Sequence, residues 1–332
     1  MIMKILVFEY STSRGIDNLI SEGFEILKSI LNDLEDIQEY DVDYLLMDGL
    51  SIPHIRNHEI VLKDDLFSWL AENSSKYDYC LFVAPEDDLI QYRLAKILED
   101  NNVRLLTSKS TASYTCCSKY LTYQNTPSDI LKIPSMIVDI KDYDIDLIKS
   151  KLKYNDIICK PDNYTSSNYI FHTTKDKLEK IINTYKKNDI RKMMIQKYIT
   201  GNPISISAIV NDKDINILSI NSQVITEDND KITYSGCVSP IDHPLEKQIK
   251  GDSVKIIQSI HGLKGFIGID YIIDEYDNIY FVELNSRITT PYIVLSKISE
   301  ENLTKYLIDN IISNKKMNKI EFNKKGDFYN GT

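Results

Sequence analysis

The 332-residue sequence has few cysteines and no long apolar segment, and both absences limit what it can be. Its five cysteines show no metal-ligand spacing, and the adjacent Cys116 and Cys117 form neither a CxxC motif nor a good disulfide candidate. An odd cysteine count without a secretory leader predicts a reducing, cytoplasmic environment. No apolar run approaches the roughly 20 residues of a membrane span, and the apolar start of the chain ends at Glu9, too early for a signal peptide.

Basic residues are also in short supply. The chain has 39 Lys and Arg against 49 Asp and Glu, so its formal net charge is −10. Because nucleic-acid backbones require basic surfaces, this balance disfavours a nucleic-acid-binding protein, although it leaves room for a local basic pocket. The length and the 42% hydrophobic content are those of a globular protein with a sizeable core. The sequence does not set an oligomeric state, and a homodimer is compatible with it.

Residues 1–110 alternate between apolar strands and amphipathic helices. This order predicts an α/β domain, a Rossmann-like parallel sheet with helices on its faces. Ligands gather at the carboxyl ends of the strands in such sheets, so the loops at 9–15 and 85–88 are expected to face a cleft. These loops carry three candidate substrate contacts: Glu9, Ser13 and Glu86.

Residues 111–199 and 200–315 are predicted to form two further lobes that mix helices and strands. The first of these begins with a helix over 112–123, and the second ends with a helix over 292–312. The remaining residues, 316–332, are polar and are expected to form a loose tail.

A hairpin near the end of the third unit is the most informative part of the chain. Asp270 lies within one apolar strand and Glu283 ends the next, with the Asp- and Asn-rich turn 274–278 between them. Asn285 and Arg287 follow Glu283 at intervals of two, so in an extended strand all three point to one face. Two carboxylates, an amide oxygen and a guanidinium are costly to bury in an apolar core. The oxygens suit Mg²⁺, and the guanidinium suits a phosphate. The alternative is an exposed, charged hairpin face, which the apolar flanks disfavour.

An acid followed 13 residues later by Glu-x-Asn-x-Arg resembles the metal-binding end of the ATP-grasp carboxylate–amine ligases. The resemblance implies the ATP-grasp fold, in which two α+β lobes clamp ATP beside a Rossmann-like domain. It implies that Asp270, Glu283 and Asn285 bind Mg²⁺ or Mn²⁺, since both ions accept oxygen ligands. It also implies that Arg287 stabilises the transferring phosphoryl group.

The family's two phosphate-binding lysines have counterparts here in the expected order. Lys119 resembles the helix lysine, with Ser118 in place of the usual Asp, and Lys160 resembles the strand-end lysine, which we assign a catalytic part together with Arg287. The loop that follows departs from the family because its usual glycines are absent. Polar side chains stand in their place, and Ser166 among them is a candidate ATP contact.

The adenine contacts implied by the resemblance lie on an apolar strand. Gln196 takes the place where a Glu often meets the adenine amino group, and its amide oxygen can accept that bond. Pro203 stands where many members carry an acid for the ribose hydroxyls. The adenine edge is expected to face the backbone of Lys197, Tyr198 and Ile199.

Within the superfamily, the chain is most similar to the archaeal ligases of methanofuran synthesis. Three segments carry this similarity: LVFEYSTSRG, FVAPEDD and ITYSGCVSP. The resemblance implies joining of the γ-carboxylate of L-glutamate to tyramine or a similar amine, through an acyl phosphate. Further candidate substrate contacts are Tyr234, Gly236, Thr289 and Thr290.

Two other functions remain open from the sequence. One is an ATP-grasp ligase with another substrate pair, of the lysine or dipeptide type. The other is a protein that binds a nucleotide without catalysis, which the missing loop glycines and ribose acid would fit. The complete metal-binding set and Arg287 favour catalysis.

Overall fold

The computed structural model describes residues 2–15, 20–35, 37–164, 169–228 and 230–329. Within these ranges the strands form one five-stranded parallel sheet and one ten-stranded antiparallel sheet. The predicted α/β class, with a Rossmann-like sheet and additional mixed lobes, is confirmed. In the described part of the chain, no helix has the length and apolar character required to cross a membrane.

The parallel sheet comprises the strands β1 Met3–Glu9, β2 Tyr40–Met47, β3 His58–Leu62, β4 Tyr79–Val83 and β5 Arg104–Leu105. Its order is β3-β2-β1-β4-β5, so the topology reverses direction between β1 and β4. β4 is buried along its whole length, as expected for a parallel strand covered on both faces. The connecting helices are α1 Tyr10–Arg14, α2 Ile20–Leu34, α3 Leu66–Asn73 and α4 Ile90–Asp100.

The expectation of a loop directly after β1 is wrong because helix α1 starts there. Glu9 ends the strand and caps the helix, accepting hydrogen bonds from the backbone N–H groups of Ser11 at 2.9 Å and Thr12 at 2.8 Å. Gly15 ends the helix with a left-handed φ of 72°.

The antiparallel sheet joins the two remaining lobes. Its strands are β6 Ser135–Asp139, β7 Asp156–Pro161, β8 Phe171–Thr174, β9 Lys192–Lys197, β10 Asn202–Val210, β11 Ile215–Asp228, β12 Lys231–Ser239, β13 Gly265–Ile273, β14 Ile279–Asn285 and β15 Gly326–Tyr329. They follow the order β14-β13-β10-β11-β12-β8-β7-β9-β6, with β15 added beside β12. The helices of these lobes are α5 Ser110–Cys116, α6 Lys119–Asn125, α7 Ile145–Lys151, α8 Leu178–Lys187, α9 Glu246–Ser259, α10 Pro291–Ile298 and α11 Leu303–Ser313. The predicted hairpin is confirmed as β13 and β14.

Two predicted single helices are each divided in two by a polar cap. Ser118 separates α5 from α6, and its hydroxyl accepts a hydrogen bond from the N–H of Leu121 at 3.1 Å. Asn302 separates α10 from α11 in the same way, accepting from the N–H of Lys305 at 2.8 Å. Both caps satisfy N–H groups that a continuous helix would have used internally.

The expected loose tail is wrong up to Tyr329. Met317 and Ile320 are buried in the core that includes α11, and β15 pairs antiparallel with β12. Gly236 on β12 allows this pairing, since a Cβ there would lie 2.2 Å from the carbonyl oxygen of Phe328. Apolar side chains at a spacing of three therefore anchor a segment that is otherwise polar.

A buried polar cluster holds β10, β11 and β12 together on the face that carries Asp270. Asn221 at its centre is fully buried and has its amide saturated. Its nitrogen donates to the hydroxyls of Ser205 and Ser207 at 3.1 and 3.2 Å, and its oxygen accepts from those of Ser219 and Ser239 at 2.7 and 2.5 Å.

Replacement of Asn221 with leucine is expected to lower the free energy of unfolding by about 3 kcal/mol, because several buried hydroxyls lose a partner at about 1–3 kcal/mol each. Urea denaturation measures this change. Thr226→Ala, at an exposed position on the same strand, is the control and should change stability by less than about 0.5 kcal/mol. Equal stability of the two variants would show that the cluster contributes little.

Candidate active site

A cavity of about 490 Å³ lies where the parallel sheet meets both lobes of the antiparallel sheet. Glu9 at the end of β1 and Val83 at the end of β4 contribute to it, so it occupies the point where the strand order reverses. Most of the residues predicted from the sequence line it: Glu9, Lys119, Lys160, Gln196, Lys197, Tyr198, Ile199, Tyr234, Asp270, Glu283, Asn285, Arg287, Thr289 and Thr290.

Four predicted site residues are not part of this lining in the described structure. The Ser13 hydroxyl donates to the carbonyl of Leu45 at 3.4 Å, away from the cavity. Gly236 packs against β15 instead, because of the close backbone approach described above. Glu86 is buried behind Arg287. Ser166 lies outside the described residues.

Strand pairing brings the three predicted metal ligands to one place. Asp270 is directly opposite Glu283 in the β13–β14 register, and Asn285 is opposite Gly268. The absent side chain at Gly268 leaves room for Thr289, whose methyl group would lie 2.9 Å from a Cβ at that position. Thr289 therefore packs against β13 at the position two residues before Asp270.

The electrostatics of the two carboxylates differ. Burial and the neighbouring Glu283 raise the pKa of Asp270, although Gln223 donates a hydrogen bond to it at 3.0 Å. Burial also opposes ionisation of Glu283, but Lys119 and Lys160 outweigh it and lower the pKa. Lys119 lies 3.3 Å from the Glu283 carboxylate. Close carboxylates of this kind are costly unless a cation lies between them.

These residues fit a magnesium ion that is shared with a phosphate-bearing substrate. Among the described residues, no three His, Cys, Asp or Glu side chains form a ligand cluster. Mg²⁺ typically uses one or two carboxylates together with water and substrate phosphates, rather than an all-protein cage. Two carboxylates and one amide oxygen, beside two lysines, match that requirement.

The two lysines enter the cavity from different elements. Lys160, near the end of β7, is only 3% exposed, and burial lowers its pKa to about 8 despite the nearby Glu283. Lys119, the first residue of α6, donates to the carbonyl of Tyr164 at 2.7 Å. An anion such as a phosphate would offset the cost of burying both ammonium groups.

Asp162 places Lys119, a role that sequence reasoning missed. Its carboxylate accepts from the Ser118 hydroxyl at 2.8 Å and from the N–H of Tyr120 at 2.9 Å. It thereby ties the first turn of α6 to the loop after β7. The sequence held a signal for this role of Asp162. Ser118 and the glycine-poor loop, which Asp162 joins, are both departures from the family pattern.

The proposed adenine end combines an amide with apolar walls. Gln196 is 2% exposed, and its Nε2 donates to the Ser135 hydroxyl at 2.9 Å, which leaves its oxygen as the acceptor. The backbone N–H groups of Lys197 and Tyr198 are used for bonds to Pro134 and Asp156. Apolar residues from both lobes also line this space: Ile133, Ile158, Ile199, Ile272 and Val282. Of these, the sequence indicated only Ile199.

Arg287 lies just beyond β14 and is held by Glu86 from the parallel-sheet domain. Its Nε is 3.1 Å from both carboxylate oxygens of Glu86, and its Nη1 donates to its neighbour's carbonyl, that of Ile288, at 3.2 Å. Burial raises the pKa of Glu86, while Arg287 and Lys119 oppose that rise. Gln91 supports the same turn by bonds to the backbone and hydroxyl of Ser286. Glu86 thus positions Arg287.

Comparison with known proteins agrees with this architecture. A family model described as an ATP-grasp domain matches residues 116–291, and a pre ATP-grasp 3 domain model matches residues 46–112. The biotin carboxylase domain of 2-oxoglutarate carboxylase from Hydrogenobacter thermophilus, solved with MgADP, has the same fold, with a TM-score of 0.75 at 17% identity. That match covers 98% of this chain and 74% of the solved chain.

Two curated relatives are similar over most of their length. The chain is 30% identical over 319 residues to the tyramine–L-glutamate ligase of Methanocaldococcus fervens, covering 92% of this chain and 93% of the relative. It is also 30% identical over 300 residues to the tyramine–L-glutamate ligase of Methanocaldococcus jannaschii, covering 87% of this chain and 84% of that relative. The family match and these identities show that the chain belongs to the ATP-grasp family, within the group of the tyramine–L-glutamate ligases.

Proposed function

We propose that this protein is an ATP-dependent ligase that joins the γ-carboxylate of L-glutamate to the amine of tyramine, releasing ADP and phosphate. The observation that carries the proposal is the convergence of Asp270, Glu283 and Asn285 with two buried lysines and Arg287 in one cavity. The names of the two curated relatives support this choice of substrates.

In this proposal each side chain has a separate role. Lys119 and Lys160 neutralise phosphate oxygens, and Gln196 with the apolar walls receives the adenine. Asp270, Glu283 and Asn285 would hold Mg²⁺, which when bound neutralises charge on the nucleotide phosphates.

The reaction then proceeds in two steps. The substrate carboxylate attacks the γ-phosphorus of ATP, displacing ADP and forming an acyl phosphate. The amine attacks the activated carbonyl carbon, and phosphate leaves. Arg287, oriented by Glu86, stabilises the charge on the transferring phosphoryl group and on the tetrahedral intermediate.

Release of ADP with Mg²⁺-ATP, L-glutamate and tyramine tests the proposal when each component is omitted in turn. ADP and the condensed product, identified by mass, should appear only when all three are present. ADP release with another amine or amino acid would support the ligase assignment but with different substrates. ATP binding without ADP release, across a panel of amines, would favour the non-catalytic alternative.

Removal of divalent cations is expected to abolish ADP release, because Asp270 and Glu283 cannot approach a nucleotide phosphate without a cation between them. The measurement compares ADP release before and after treatment with EDTA. Restoration with excess Mg²⁺ and with excess Mn²⁺ then identifies which ion serves. Full activity in EDTA would contradict the assignment of these residues as metal ligands.

A further inference from the structure

One end of the cavity is formed by the first two helical segments and the turn after β14. Glu9 and Glu22 line it from the parallel-sheet domain, and Arg287 and Thr290 line it from the opposite side. Arg287 is already paired with the buried Glu86. Among the described residues at this end, the carboxylates therefore outnumber the cations, which favours a positively charged ligand over an anion.

The two carboxylates that line this end are not equivalent. Both oxygens of Glu9 accept backbone hydrogen bonds of α1, and its carboxylate lies against Gly23, where a Cβ would come within 2.4 Å. Glu9 is 4% exposed and is committed to this capping role. It shapes the end of the cavity but has little capacity left for a ligand.

Glu22, which the sequence did not single out, is in a different position. It lies in the first turn of α2, is half-buried, and lines the cavity. Its carboxylate accepts a hydrogen bond from the hydroxyl of Thr290, which is itself 5% exposed and follows the Arg287 turn. One hydroxyl donor orients the carboxylate and leaves acceptor sites on it for a further donor.

We propose that Glu22 binds the ammonium group of the amine substrate and takes the proton that must leave before attack; this inference rests on the proposed ligase function. The ammonium gives one proton to the Glu22 carboxylate. The freed nitrogen lone pair forms the bond to the acyl phosphate carbon, and the carbon–oxygen bond to phosphate breaks with its electron pair on phosphate. The second nitrogen proton leaves with the phosphate.

Glu22→Gln tests this with two nucleophiles. Hydroxylamine is neutral near pH 7 and traps the acyl phosphate as a hydroxamate, so it reports carboxylate activation without an ammonium. The variant is expected to lose tyramine-dependent amide synthesis roughly tenfold or more, with a raised KM for tyramine, because a charge-assisted hydrogen bond is removed. Glutamate-dependent hydroxamate formation should stay within about twofold of wild type, because hydroxylamine carries no ammonium for Glu22 to bind when it attacks the acyl phosphate.

Glu25→Gln is the matched control, since Glu25 lies one turn further along α2 and pairs with Lys28 near the surface. It should leave both reactions unchanged. Glu22→Asp retains the charge and should recover part of the tyramine reaction, which a folding defect in Glu22→Gln would not explain.

Three results would overturn the inference. Normal tyramine kinetics in Glu22→Gln would show that the carboxylate does not meet the amine. Equal loss of hydroxamate and amide would place Glu22 in glutamate binding or in the fold. Absence of glutamate-dependent hydroxamate in the wild-type enzyme would overturn the proposed function, and this inference with it. Because this result is obtained on the wild-type enzyme, it is distinguishable from a failure of the Glu22 assignment alone.

Discussion

Replacement of Arg287 with alanine is expected to lower turnover about a hundredfold or more, because a single preorganised charge contact to a transition state contributes roughly 3 kcal/mol. The Arg287 side chain is only 17% exposed and its Nε is held at 3.1 Å by Glu86, so the guanidinium is oriented before any substrate arrives. Steady-state ADP release with saturating substrates measures the effect. Arg287→Lys should recover little, since an ammonium lacks the planar guanidinium that Glu86 orients through Nε.

Two comparisons separate this chemical effect from a structural one. Arg93→Ala removes an arginine that is exposed and packs over Phe67 outside the cavity, and it should leave turnover unchanged. Glu86→Gln keeps the shape of the partner but removes its charge, and we expect an intermediate loss. Wild-type turnover in Arg287→Ala would refute the assignment of Arg287 to the reacting phosphoryl group.

The double replacement of Met317 and Ile320 with alanine is expected to lower the free energy of unfolding by about 4 kcal/mol or more, at about 2–5 kcal/mol for each buried side chain. Both residues are nearly buried, at 8% and 7% exposure, in the core beneath α11. Urea denaturation measures the loss. An effect of this size is a large fraction of the net stability of a typical protein.

Lys319→Ala provides the control for the C-terminal segment, because Lys319 is exposed between the two apolar residues. It should change stability by less than about 0.5 kcal/mol. If the double variant unfolds at the same urea concentration as wild type, the segment contributes nothing to the core and the expectation of a loose tail would be restored.

The hairpin of β13 and β14 was predictable from the sequence because its determinants are local. Nearly continuous apolar runs define the two strands, and the turn between them is built from residues that favour turns. The pairing of Asp270 with Glu283 follows from that turn. Helix boundaries were less predictable. Ser118 and Asn302 act as caps because the backbone leaves the helical conformation at these residues, and the sequence alone does not show where that happens.

Other parts of the site depend on contacts between residues that are far apart in the chain. Arg287 and Glu86 are 201 residues apart, and Glu22 and Thr290 are 268 residues apart. No periodicity or spacing in the sequence links such pairs. They form only when the parallel-sheet domain packs against the antiparallel sheet, so the proposed roles of Glu86 and Glu22 required the structure.

The sequence by itself determined the class of fold, the order of the lysines and the hairpin that carries the candidate metal ligands, since these depend on short-range patterns of burial and turn formation. Only the tertiary structure decided which acids line the cavity, that Glu86 holds Arg287, and that the C-terminal segment belongs to the core. The physical reason is that burial and charge pairing between distant segments arise from packing, and packing brings together residues whose separation along the chain is arbitrary.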